Sequence, residues 1–80
     1  MPHVRVFASL RDLAGERVLD VPGGSVEELL HAAGERYGSE FESIARAGSV
    51  VVNGERAELR RTVNETDEVA FLPPFSGGSP

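Results

Sequence analysis

One stretch of the chain carries the full pattern of a capped amphipathic helix, and it constrains the fold more than any other feature. Ser25 and Glu28 have capping-box spacing, in which the Ser25 hydroxyl accepts from the Glu28 amide and the Glu28 carboxylate accepts from the Ser25 amide. Gly38 is placed to end the helix, and one apolar stripe runs along it: Val26, Leu29, Leu30, Ala33 and Tyr37. An 80-residue chain makes one domain with a small core, so this helix predicts a single sheet for its stripe to cover.

Strand patterns before and after the helix supply that sheet. Alternation in residues 3–8 predicts a first strand with Val4, Val6 and Ala8 facing inward and Phe7 on the solvent side. Asn53-Gly54 has the composition of a two-residue hairpin turn. The remaining strands are predicted at residues 16–21, with Leu19 and Val21 inward, and at residues 49–52, 55–59 and 67–72.

Two shorter helical segments are predicted between the strands. Leu10 and Leu13 are spaced so that one helical turn would tuck both against the sheet before Gly15 ends it. A second short helix is predicted at residues 40–47 from three apolar residues at helical spacing: Phe41, Ile44 and Ala45.

Three further patterns predict exposure rather than element type. The apolar run of residues 49–52 predicts a strand with both faces partly covered, and hence a central position. Residues 60–66 are polar enough to predict a surface loop. Glu27 and Glu28 resemble a carboxylate pair for acid-base chemistry, but acidic residues in a first helical turn more often complement the helix dipole, which is the interpretation we favour.

Composition excludes most catalytic chemistry. The chain has no cysteine, and His3 and His31 stand far apart, so we expect no metal site, no cysteine nucleophile and no enzyme activity. All eight basic residues are arginine, which rules out the lysine-containing phosphate loop of nucleotide-binding proteins. A net charge of −5 argues against nucleic-acid binding and favours a partner with a basic docking surface.

The sequence also predicts where the protein works. Apolar runs are far shorter than the roughly 20 residues that span a bilayer, and residues 1–5 lead directly into a strand pattern without a signal-peptide core. We therefore expect a cytoplasmic protein without a membrane partner.

The C-terminal residues have the composition of a strand end followed by a segment without bulky side chains. Pro73-Pro74 removes ladder donors after the strand, and the segment Ser76-Gly77-Gly78 has no bulk, so it could thread a channel too narrow for side chains. We predict a folded domain over residues 1–75 and a flexible tail over residues 76–80. Glycine, serine and proline are also common at frayed termini, so the tail composition alone leaves a purely structural explanation open.

The order of elements and three phrases of sequence resemble the MoaD/ThiS family of ubiquitin-like sulfur carriers over residues 3–78. The phrases are residues 4–15, Val52-Asn53-Gly54 and residues 67–78, and the last is closer to the molybdopterin-synthase branch than to the thiamine-pathway branch. The resemblance implies a β-grasp fold of the α+β class, with a mixed sheet of four to five strands packed on one main helix.

The same resemblance implies a chemistry at Gly78. In this family an E1-like adenylating enzyme uses ATP to activate the carboxylate of the terminal glycine, which becomes a thiocarboxylate, and the carrier itself binds no cofactor. Implied partners are that enzyme and a sulfur-accepting synthase, such as a molybdopterin synthase large subunit or a cysteine-synthase-like enzyme. Phe7, Leu72 and Phe75 are predicted to form an exposed apolar patch for docking beside the tail. Phe75 could instead fold back to cap the core.

The sequence departs from the family pattern after Gly78. Ser79 and Pro80 follow it, so the Gly78 carboxyl is held in a peptide bond. We hypothesise that a protease of the JAMM metalloprotease type cuts between Gly78 and Ser79; a harmless remnant is the alternative. Two other functions stay open: a ubiquitin-like modifier that attaches Gly78 to lysines of other proteins, and a non-covalent binding module whose tail does nothing.

Overall fold

The computed structural model describes residues 1–74, in which five strands form one sheet that three helices cover. The strand order is β2-β1-β5-β3-β4, with β1 and β5 parallel and the other neighbouring pairs antiparallel. This is the predicted mixed sheet on one main helix. The elements are β1 (His3–Val6), α1 (Ala8–Ala14), β2 (Val18–Asp20), α2 (Val26–Tyr37), α3 (Ser39–Ala47), β3 (Ser49–Val52), β4 (Glu55–Ala57) and β5 (Val69–Leu72).

The core lies between the inner face of the sheet and the helices. The Phe41 and Phe71 rings meet at its centre with their centroids 6.4 Å apart, a geometry that stabilises beyond simple burial. β5 is the middle strand of the sheet, so the residues that lead into the C-terminal tail follow directly after a strand of the core. The buried apolar residues are Val4, Val6, Leu10, Leu19, Val21, Val26, Leu29, Leu30, Ala33, Phe41, Ala45, Val50, Val52, Val63, Val69 and Phe71.

Helix α2 follows its predicted bounds, with one difference in its cap. The Ser25 hydroxyl accepts from the Glu28 amide at 3.2 Å, as expected. The Glu28 carboxylate, however, accepts from the amide of Gly24 at 2.7 Å, so the prediction that it would reach Ser25 was wrong. Ser25 forms an isolated antiparallel bridge with Thr62, and this bridge sets the path of the chain into the helix. The N-cap is therefore Ser25 as predicted, and only the return contact of Glu28 moves by one residue, to Gly24.

The first strand is shorter than predicted. It ends at Val6, and Ala8 is exposed with φ 53° at the start of α1, so the prediction of an inward Ala8 was wrong. Leu10 is fully buried as predicted, but Leu13 is 40% exposed. Ala14, four residues after Leu10, packs on the core instead, because residues four apart lie above one another on a helix. Gly15 ends α1 in the left-handed region, as expected.

Helix α3 is the predicted second helix, and it is joined to α2 by a charged clamp. Arg46 donates to both carboxylate oxygens of Glu27 on α2 at 2.8 Å, and its Nε donates to Glu42 at 2.9 Å. The hydrogen bond from Arg46 holds the pKa of Glu27 below its ordinary value. Glu27 therefore has an ion-pair partner in addition to the helix dipole.

The predicted surface loop does more than connect β4 to β5. Val63 is 4% exposed, so the prediction of a wholly exposed loop was wrong for this residue. The carbonyls of Leu59 and Arg61 accept from the amides of Glu27 and Val26, both at 3.0 Å. These amides belong to the first turn of α2, where no intrahelical acceptor exists. The loop therefore lies against the N-terminus of α2, where its carbonyls accept hydrogen bonds from helix amides that have no acceptor within the helix.

The β3–β4 hairpin has the predicted turn, and its Asn53 hydrogen-bonds to the residues just before β5. Asn53 and Gly54 both have positive φ, as a type I′ turn requires. The Asn53 side chain donates to Asp67 at 3.0 Å and accepts from the amide of Glu68 at 2.9 Å. Asp67 also accepts from the amide of Asn64 at 2.8 Å. β3 lies between β5 and β4, so it is an interior strand, as predicted.

This network predicts a pH-dependent stability. The Asn64 amide and the Asn53 side chain hold the pKa of Asp67 below its ordinary value of 3.8. A lowered folded-state pKa contributes stability above the unfolded-state value, and this contribution is lost as the pH falls through the folded-state value. We expect Asp67→Asn to lower the urea midpoint at pH 7 and the difference from the unmodified protein to shrink in acid. Asp12→Asn, at an exposed aspartate, is the matched control, and a constant difference for Asp67→Asn across the range would contradict the prediction.

Candidate functional site

One face of the sheet points away from the helices and forms an open surface. Side chains alternate along each strand, so the residues between the buried ones share this surface. The strand registers place one outward residue from every strand in a single row. The row runs Val18, Arg5, Ala70, Val51, Arg56.

Phe7 and Leu72 lie on the same open face, nearer the end from which the tail departs. The parallel register pairs Val6 with Phe71, so the next residues, Phe7 and Leu72, stand opposite each other. Phe7 is 42% exposed, as predicted, and Leu72 is half-buried. The Phe7 backbone is extended at φ −132° and ψ 154°, and its carbonyl accepts from the amide of Leu10 at 3.1 Å. The exposed ring therefore stands on a fixed backbone at the junction of β1 and α1.

Three arginines lie near Phe7. Arg5, Arg11 and Arg17 line a shallow cavity of about 230 Å³ together with Phe7 and Val18. Within residues 1–74, none of these arginines has a carboxylate oxygen within 4.0 Å. The chain has a net charge of −5, so the charge beside Phe7 is opposite in sign to that of the whole molecule. This cavity therefore brings one exposed aromatic residue and three cationic residues onto the same stretch of surface.

The base of the tail lies beside this surface. The β5–β3 ladder reaches Leu72, which pairs with Ser49, and Pro73 follows without an N–H to continue it. Pro73 is half-buried and Pro74 is exposed. The strand therefore ends where the sequence predicts. The predicted site residues Phe75, Ser76, Gly77, Gly78 and Ser79 lie outside the described residues.

Sequence reasoning missed the arginine cluster. Alternation along β1 places Arg5 on the face of Phe7, but Arg11 and Arg17 belong to α1 and to the turn before β2. Only the folding of α1 and β2 beside β1 brings the three together. The signal available in the sequence was a basic residue every six positions near Phe7, but the three positions fall in different elements, so no single-element periodicity groups them.

Other kinds of site find little support in the part of the chain that the structure describes. Residues 1–74 contain no group of three or more histidine, aspartate or glutamate side chains able to hold a metal ion together. None of the three helices described is both long enough and apolar enough to cross a bilayer. What the described residues offer is an open sheet face with Phe7 exposed on it and the end of β5 beside it.

A five-stranded mixed sheet of this order on one main helix is the β-grasp arrangement of ubiquitin-like proteins, and comparison with known proteins agrees. Small archaeal modifier protein 1 from Haloferax volcanii is 30% identical, with 95% of this chain and 97% of that chain covered and a TM-score of 0.70. A putative molybdopterin converting factor subunit 1 from Pyrococcus furiosus is 25% identical, covering 91% and 95%, with a TM-score of 0.72. A chain of the Amycolatopsis orientalis BexX/CysO complex is 24% identical, covering 98% and 100%, with a TM-score of 0.79.

The profile of the ThiS family matches residues 4–78. The chain therefore belongs to the ThiS family, and the predicted MoaD/ThiS resemblance is confirmed. Proteins of this family are small carriers and not enzymes, in agreement with the composition.

Proposed function

We propose that this protein is a sulfur carrier whose reactive group is the carboxylate of Gly78. The observation that carries the proposal is the extent of the family match, which runs to Gly78 and so includes the segment Ser76-Gly77-Gly78. The acceptor would be an intermediate in molybdopterin, cysteine or secondary-metabolite biosynthesis. The folded part would provide recognition, and the tail would provide reach.

The proposed chemistry has two steps. A carboxylate oxygen of Gly78 attacks the α-phosphorus of ATP on an activating enzyme, pyrophosphate leaves, and an acyl-adenylate forms. A sulfide equivalent supplied by the activating system then attacks the acyl carbon, AMP leaves, and the product is a thiocarboxylate. Adenylation is needed because a carboxylate oxygen is a poor leaving group. The thiocarboxylate is an anionic sulfur nucleophile.

Docking would use the open face. Phe7 and Leu72 are its apolar centre near the tail, and Phe75 is predicted to extend this centre along the chain. The surrounding Arg5, Arg11 and Arg17 favour an acidic rim on the partner, which differs from the basic surface that the net charge alone predicts. The arginines near Phe7, and not the net charge, would set the preferred charge of the partner surface, because salt screens interactions between exposed charges beyond about 8–10 Å.

The partners would be an E1-like adenylating enzyme and a sulfur-accepting synthase. Support comes from the Pyrococcus furiosus relative, which is described as a molybdopterin converting factor subunit, and from the BexX/CysO structure, in which this fold occurs in a complex. A molybdopterin synthase large subunit and a cysteine-synthase-like enzyme are the two acceptor types to test.

Activation would follow proteolysis. Gly78 is joined to Ser79, so its carboxyl has to be released before it can attack ATP. We propose cleavage between these two residues by a JAMM-type metalloprotease.

A second function, protein modification through Gly78, is favoured by the 30% identity to a small archaeal modifier protein. In that case Gly78 would form an isopeptide bond with lysines of other proteins. This chain has no lysine, so it could not form lysine-linked chains of itself. Tryptic peptides that carry residues 62–78 on a lysine of another cellular protein would favour this function over sulfur transfer alone, because Arg61 is the last basic residue before Gly78.

The deciding experiment is intact mass spectrometry of the untagged protein isolated from its native host while the pathway is active. We expect a chain that ends at Gly78 with one oxygen replaced by sulfur. A chain that retains Ser79 and Pro80 and carries no adduct would contradict the proposal and leave the non-covalent binding module as the better explanation.

A further inference from the structure

Gly48 joins α3 to β3 and touches the base of the tail. Its amide donates to the carbonyls of Ile44 and Ala45 at 3.1 and 3.2 Å, which closes the last turn of α3. The next residue, Ser49, forms the last β3–β5 pair with Leu72. One residue therefore connects the end of a helix to the point where β5 becomes the tail.

The contact between Gly48 and the tail base leaves no room for a side chain. A Cβ atom on Gly48 would overlap the carbonyl oxygen of Leu72 and lie 2.9 Å from the carbonyl carbons of Leu72 and Pro73. These are backbone atoms, so no rotamer change can relieve the overlap. Gly48 has φ −91°, so no left-handed backbone calls for glycine here, whereas the overlap with Leu72 does.

We propose that Gly48 is a positioning residue for the tail. By letting the Leu72–Pro73 backbone pass in contact with the end of α3, it sets the direction in which the chain leaves the sheet. That direction fixes where the tail begins relative to Phe7 and Leu72. This inference rests on the proposed function, because the position of the tail matters only if a partner holds the docking face and acts on Gly78.

We expect a large effect because Leu72, on the docking face, and Gly78, the reacting residue, belong to the same short stretch of chain. Leu72 belongs to the docking face, and Pro73-Pro74 carries its direction onward, since proline fixes φ. A side chain at position 48 would displace the tail base while leaving Phe7 in place. Misplacement of a reacting group by about 1 Å can lower a rate about 100-fold.

The test compares Gly48→Ala with Gly34→Ala in chains that end at Gly78, which keep all described elements. A Cβ on Gly34 would lie 2.7 Å from Cβ and Cδ of Glu42, so this control disturbs the contact between α2 and α3 but not the tail. With both variants kept at a temperature where they are folded, adenylation is followed by pyrophosphate release on a purified activating enzyme. We expect Gly48→Ala to lower kcat at least 10-fold with KM changed less than 3-fold, and Gly34→Ala to change neither by more than 3-fold.

A double-mutant cycle separates positioning from a merely structural role. Pro73→Gly lets the chain bend at the contact, so it relieves the overlap and keeps Gly48→Ala foldable in the double variant. If Gly48 acts through the tail direction, adding Gly48→Ala to Pro73→Gly causes no further loss of kcat, because the direction is already lost. Equal losses in both backgrounds would overturn the proposal, as would unchanged kcat in the single variant.

Failure of the inference can be told from failure of the proposed function. If the unmodified chain ending at Gly78 is not adenylated at all, the proposed function fails. If it is adenylated and Gly48→Ala matches it, only the positioning role fails.

Discussion

A chain that ends at Gly78 should form an acyl-adenylate with an activating enzyme and ATP, whereas the 80-residue chain should form none. The reason is chemical: in the longer chain the Gly78 carboxyl is an amide, which has no free carboxylate oxygen to attack phosphorus. We expect a rate difference of at least about 1,000-fold, the scale on which loss of a reacting group acts. The measurement is ATP–pyrophosphate exchange, with intact mass of the acyl-adenylate as the direct product.

Two controls define what this result means. A chain that ends at Gly77 retains a carboxylate but is one residue shorter, so exchange with it would show that reach is not critical. Incubation of the 80-residue chain with a JAMM-type protease should restore exchange to the level of the Gly78 chain. Equal exchange by the untreated 80-residue chain would contradict both the processing step and the assignment of Gly78.

Phe7→Ser should weaken binding of the activating enzyme about 30-fold or more. An aromatic side chain at the centre of an interface typically contributes about 2 kcal/mol or more, and 1.4 kcal/mol is a factor of ten in affinity. Phe7 is 42% exposed in the free protein, so the same change should alter the free energy of unfolding by less than about 1 kcal/mol. Calorimetric titration against the enzyme and urea unfolding measure the two quantities separately.

Leu59→Ser is the matched control. Leu59 is 47% exposed, but its carbonyl lies against the first turn of α2, in the loop after the edge strand β4 and away from Phe7. We expect its affinity to stay within about 3-fold of the unmodified protein. Equal losses for the two variants would show that apolar exposure in general, and not the open face, governs docking.

The arginines around Phe7 add an ionic-strength test to the same experiment. If Arg5, Arg11 and Arg17 face an acidic rim, the association rate should fall steeply as salt rises, because oppositely charged surfaces steer the encounter. Replacing Arg17 by glutamate should flatten that dependence. A rate independent of salt would argue for an uncharged partner surface.

The sequence predicted the elements well where local chemistry decides them. The cap at Ser25, the left-handed end at Gly15 and the turn at Asn53-Gly54 depend on neighbours within four residues, and all three are confirmed. The stop after Leu72 belongs with them, because proline removes its donor in any context.

Predictions failed where packing against a distant segment decides which side chains are buried. Val63 is buried because the loop covers the start of α2. Leu13 is exposed because the core selects the Leu10 side of α1. For Val63 and Leu13 the packing partners lie far along the chain, so local spacing contains no information about them, whereas the Glu28 contact differs from its prediction by one residue.

In the candidate site too, some features follow from local sequence and others only from packing. Local patterns in the sequence predicted one sheet under a capped helix, the exposed Phe7 and the stop at Pro73, because capping, period-two alternation and proline chemistry are local, whereas the β-grasp class was implied by the family resemblance. Only the folded chain shows that Arg5, Arg11 and Arg17 line a cavity with Phe7 and that Gly48 lies against the Leu72–Pro73 backbone. The physical reason is that charge clusters and close backbone contacts form between elements that only the packing of α1, α3 and β2 around the central strands brings together.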